Sequence, residues 1–80
     1  MIEHHRERLA VSEASLTQTQ RTGFDLSFDL FGADLKPASR RFAVAETLSH
    51  LERLVREDRA ARHEDDGAVT YTARQLGRAL

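Results

Sequence analysis

Apolar positions along the chain follow four successive patterns, and each marks an element. Across residues 2–20, Ile2, Leu9 and Leu16 recur every seven positions. His5, Ser12 and Glu13 occupy the places where the rest of an apolar stripe belongs. With Glu, Arg, Leu and Ala filling most other positions, the segment is predicted to be an amphipathic helix. Thr22-Gly23 breaks it, and apolar and polar residues then alternate strictly from Phe24 to Leu30. That alternation suits a half-buried strand. A helix fits equally: Phe24, Phe28 and Phe31 share one helical face, and Leu30 extends it. Thr22 followed by Asp25 has capping-box spacing, and Gly32 can end a helix. Pattern alone leaves the two open.

Residues 34–39 form a loop, with Pro37 suited to the first turn of a following helix. The strongest element is predicted over residues 38–59. Val44, Leu48, Leu51 and Val55 follow helical spacing, with Phe42, Ala45 and Leu54 beside them. Glu52 and Arg56 form an i,i+4 pair worth about 0.3 kcal/mol. Each leucine this helix buries contributes roughly 1.5–3 kcal/mol. Residues 62–72 then combine a hairpin-turn dipeptide, Asp66-Gly67, with strand-favouring Val69, Thr70, Tyr71 and Thr72. A hairpin after a long helix is a wing. The expected organisation is one domain over residues 1–72, with residues 73–80 a short helix or disordered tail. The expected fold is mainly α and winged-helix-like, with three helices and a C-terminal two-stranded β-hairpin.

Composition narrows the function. At 80 residues the chain holds one domain, and such a core supplies about 3–5 kcal/mol net. It has no cysteine, which rules out disulfides and thiolate metal sites and fits a reducing, cytoplasmic setting. No apolar run approaches the roughly 18 residues of a membrane span. The net charge of −1, with both signs interleaved, lacks the basic excess of a domain built to grip phosphates. The four glycines are isolated, so no phosphate-cradling loop is present.

Three stretches carry a resemblance: Ile2-Glu3-His4-His5-Arg6-Glu7-Arg8, Asp29-Leu30-Phe31-Gly32, and Ala45-Glu46-Thr47-Leu48-Ser49-His50-Leu51-Glu52-Arg53-Leu54. The sequence resembles the C-terminal domain of bacterial metallo-β-lactamase-fold hydrolases, a zinc-dependent, glyoxalase II-like superfamily. The resemblance implies that residues 24–31 are a helix. It also implies a preceding catalytic domain with a His-x-His-x-Asp-His metal motif, none of which is matched here. Zinc or another divalent metal would belong to that domain, and this chain would hold no catalytic, cofactor or metal residue. The partner so implied is the N-terminal metallo-β-lactamase domain of the same protein, with a homodimer as a further option. The face expected to meet it is Ile2, His5, Arg6 and Leu9.

Other groupings have plainer readings. His4 and His5 are adjacent and point about 100° apart on a helix, poor geometry for one metal. Glu46 and His50 lack the second histidine of a metalloprotease helix, so a surface hydrogen bond or ion pair is expected. Asp25 and Asp29 are expected to serve capping and solvation. The rival function is an independent nucleic-acid-binding module that reads through Arg40, Arg41, Arg53 and Arg56. Arginines at a helix start oppose the helix dipole, and the acidic wing tip Glu64-Asp65-Asp66 would meet phosphates with like charge.

Overall fold

The computed structural model describes residues 2–74, with side chains from Arg6 onward. Three helices precede one hairpin: α1 (Ile2–Ser15), α2 (Gly23–Phe31), α3 (Pro37–Arg56), β1 (Ala60–Asp65) and β2 (Ala68–Ala73). The mainly α, winged-helix-like order expected from the sequence is what forms. Residues 75–80, most of the predicted tail, lie outside the described residues.

Helix α1 stops earlier than its seven-residue repeat suggests. Leu16 N–H closes the last turn on the Glu13 carbonyl at 3.1 Å, and Thr17 Oγ1 then accepts the Thr19 N–H at 3.1 Å. Competition of this kind from a threonine side chain ends helices. The freed backbone pairs with the hairpin. Arg21 and Tyr71 exchange two hydrogen bonds, at 2.8 and 3.3 Å, and the Ala73 N–H reaches the Thr17 carbonyl at 2.7 Å. Thus the α1–α2 connection covers the outer edge of β2. Leu9, Ser12 and Leu16 make the buried stripe. Ser12 fits there because its hydroxyl donates to the Arg8 carbonyl at 2.8 Å.

Residues 23–31 are a helix, with both hydrogen bonds of the Thr22–Asp25 capping box formed and Gly32 closing the end at φ 83°. Its buried residues are Gly23, Leu26 and Ser27. The phenylalanine face expected to pack inward is turned outward instead: Phe24 is 52% exposed and Phe28 36%. Close approach decides this. A Cβ on Gly23 would lie 2.4 Å from Leu48 Cδ2, so α2 meets α3 through its smallest residues.

Helix α3 starts at Pro37 and ends three residues short of the expected limit. Asp58, at φ 63°, turns the chain, and the Arg59 N–H caps the Leu54 carbonyl at 2.8 Å. The buried face comprises Arg40, Ala43, Thr47, His50, Leu51 and Leu54. It is rotated from the predicted one. Val44, Leu48 and Val55 are half-buried, Ala45 is exposed, and Phe42 is 78% exposed. The hairpin matches its sequence signal. Asp66 and Gly67 both have positive φ, the two-residue turn that suits strand twist. Pairing runs from Asp65–Ala68 to Ala60–Ala73. Leu9, Leu16, Leu26, Leu51, Leu54, Ala60 and Tyr71 form the core where the helices meet the wing.

Candidate interdomain surface

The residues assigned to an interdomain face from sequence divide. The backbone of Ile2 and His5 lies in α1, but their side chains are outside the described residues. Arg6 is exposed. Leu9 is 6% exposed and belongs to the domain's own core, which corrects its assignment as a contact residue.

The arginines of the nucleic-acid reading divide too. Arg41 and Arg56 are exposed. Arg53 is held by Glu57, Nε to Oε2 at 2.8 Å. Arg40 is buried and unavailable to a phosphate, a second correction. Its Nη1 donates to Ser27 Oγ at 2.9 Å and its Nη2 to the Gly32 carbonyl. Its guanidinium also lies 3.7 Å from the Phe28 ring centre. Arg40 therefore ties the end of α2 to the start of α3. No spacing rule connects an arginine to a carbonyl eight residues earlier, so sequence reasoning missed this role.

Neighbouring arginines are spent on carboxylates. Arg59 bridges Glu13 at 2.6 Å and Glu57 at 2.8 Å, joining α1 to the end of α3. These bonds, that to Glu13 foremost, raise the Arg59 pKa. Arg53 and then Arg59 hold the Glu57 carboxyl below its usual range. Arg62 contacts Glu52 at 3.1 Å and Glu64 at 2.5 Å. Glu52 also accepts the Tyr71 hydroxyl at 2.5 Å. Burial first, and then Glu52, push the Tyr71 phenol up to about 12. This network fastens the wing to α3.

Asp25 and Asp29 act as expected, structurally. Asp25 completes the cap of α2. Asp29 takes both guanidinium nitrogens of Arg21, at 2.8 and 3.3 Å, and that bond holds its carboxyl below the ordinary range. His50 Nε2 is 3.7 Å from Glu46 Oε2. His50 is buried, however, which corrects the expected surface pair. His63 shares a 2.9 Å hydrogen bond with Thr72 on the wing. Among the described residues no three His, Asp or Glu side chains gather in a group that could hold a metal.

What remains conspicuous is the outer side of α2. Phe24 and Phe28 meet edge to face, ring centres 5.1 Å apart and planes at 77°. Arg40 covers Phe28, and Arg8 of α1 sits 4.3 Å from the Phe31 ring centre. A small domain presents here a row of rings capped by two cations.

The family model described as "Metallo-beta-lactamase-like, C-terminal domain" matches residues 9–74, spanning the second half of α1, then α2, α3 and the wing. The chain belongs to this family. The metallo-beta-lactamase-like C-terminal domain also superimposes on a solved structure titled as a beta-lactamase domain protein from Burkholderia ambifaria. The TM-score is 0.75 at 25% identity, covering 89% of this chain and 22% of that chain. The domain thus spans about a fifth of that protein's length. No curated protein matches the sequence.

Proposed function

We propose that this domain is the non-catalytic C-terminal accessory part of a longer, metal-dependent hydrolase of metallo-β-lactamase fold, packed against its N-terminal catalytic domain. The family match over residues 9–74 carries this reading. The similar structure being about four times as long supports it. Any zinc or other divalent metal belongs to the catalytic domain. In this domain the candidate carboxylates are occupied in caps and ion pairs with arginine. The contact begins at the start of α1, with Ile2, His5 and Arg6 as the residues nearest the junction. By presenting a folded wall beside the catalytic domain, the accessory part shapes its cleft or supports a dimer.

Two observations weigh against the independent nucleic-acid module. Arg40 is internal, and Glu64, Asp65 and Asp66 are exposed at the wing tip, where like charge repels phosphate.

The test is a titration of the isotopically labelled 80-residue chain with the separately expressed catalytic domain. Amide shifts of residues 2–9 should move. Shifts that stay in place along α1 and everywhere else in the domain would sink the proposal.

A further inference from the structure

Five of the arginines are paired with carboxylates. Arg21, Arg53, Arg59, Arg62 and Arg74 each have a carboxylate oxygen within 3.3 Å. Arg8 and Arg40 are not among them, nor are Arg6, Lys36, Arg41 and Arg56; what sets Arg8 and Arg40 apart is that each lies over a phenylalanine ring. Among the described residues, Arg40 has for neighbours a hydroxyl, a carbonyl and a phenyl ring, and Arg8 has a phenyl ring. None of these carries negative charge. Arg8 lies over Phe31 and Arg40 over Phe28, and Phe28 in turn meets Phe24 in the only phenylalanine pair in ring contact among the described residues. Exposed aromatic rings flanked by arginine are the usual composition of an interface centre.

We infer that the outer face of α2, formed by Phe24, Phe28 and Phe31 with Arg8 beside them, is a docking surface for the N-terminal domain of the same polypeptide, which presents apolar side chains together with carboxylates. The inference rests on the accessory-domain reading given above and adds a second face to it. Three things favour this occupant. The family is that of a C-terminal domain. The similar solved chain has most of its length outside the matched part. Arg8 lies in the first half of α1, so the aromatic row reaches the side from which the chain leaves its preceding domain. The surface is also rigid before binding. Arg40, itself held by Ser27 Oγ and the Gly32 carbonyl, covers one face of the Phe28 ring, which lowers the entropy lost on docking.

Hydrogen exchange measured on the full-length protein and on the 80-residue chain, each at several concentrations, distinguishes the outcomes. The α2 amides should exchange at least about tenfold more slowly in the full-length protein, independently of concentration. Phe24→Ser, at a half-exposed position, should remove most of that difference while the isolated chain keeps its own exchange pattern. Arg8→Glu should reduce it several-fold. Slowing confined to α1 would overturn this inference and leave the accessory-domain reading standing. No slowing anywhere in the domain would overturn both. Slowing of α2 that grows with concentration would assign the face to a second copy and overturn the choice of occupant. Unchanged α2 protection in Arg8→Glu would overturn the acidic character assigned to the partner.

Discussion

Tyr71 shows how much one side chain decides in a domain this small. It is 1% exposed, its backbone binds Arg21, and its hydroxyl reaches Glu52 on α3. It is also the sole tyrosine, so its titration can be read by absorbance without ambiguity. The phenol should titrate near 12 rather than its ordinary 10. Because the folded value is the higher one, this contribution to stability is complete below pH 10. It fades as pH rises toward 12, and the domain should weaken there. Tyr71→Phe should cost about 1.5 kcal/mol in urea unfolding, the low end for a hydrogen bond to a charged group. It should also flatten the alkaline limb of the stability curve. A titration midpoint near 10 in the native protein would remove the basis for this account. The sequence marked Tyr71 as a strand residue but gave no sign of Glu52. Nineteen positions separate the pair, and only the docking of the wing on α3 joins them. Gly23 is a second such case. Its value lies in the missing Cβ, which would press on Leu48, so Gly23→Ala should destabilise by about 1–3 kcal/mol through overpacking.

At the scale of elements, local chemistry was legible and facing was not. The capping box, the Gly32 stop, the Pro37 start and the Asp66-Gly67 turn all sit where the sequence places them. Each depends on atoms within a few residues. Thr22→Ala should therefore cost about 1 kcal/mol through the lost cap alone. The inward faces of α2 and α3 depend on neighbours instead. Hydrophobic periodicity pointed Phe24, Phe28 and Phe42 inward, yet Gly23, Ser27, Arg40, Ala43 and Thr47 lie there. Small residues allow the two helices to approach closely, and the larger rings are displaced to the rim. Two substitutions on α3 separate these views. Leu51→Ala should cost about 2–5 kcal/mol. Phe42→Ala, at 78% exposure, should change stability by no more than about 0.5 kcal/mol. Comparable losses at both sites, measured by thermal unfolding, would mean that the predicted face is the true one.

For the whole molecule, ion pairs add ties between elements that already share one core. Arg21–Asp29 ties the α1–α2 connection to α2, and Arg59 ties α1 to the end of α3. The Asp29 and Glu57 carboxyls are both held below their ordinary range by arginine. Their contribution is present at neutral pH and is lost as pH falls through their folded values, so stability should decline on the acid side. Asp29→Asn should shallow that decline and cost at most about 1 kcal/mol at pH 7, since the pair is half-exposed. A steep acid limb retained in this variant would assign the effect elsewhere. The sequence by itself determined the order of elements, the helix boundaries that have caps, the wing, and the family resemblance. These are set by backbone chemistry over short separations and by side-chain spacing. Tertiary structure alone decided which faces are buried, that Leu9 and Arg40 serve the interior, and that Phe24 and Phe28 stay outside. Those outcomes depend on how closely helices approach and which charges they bring together, and neither distance is written in local sequence.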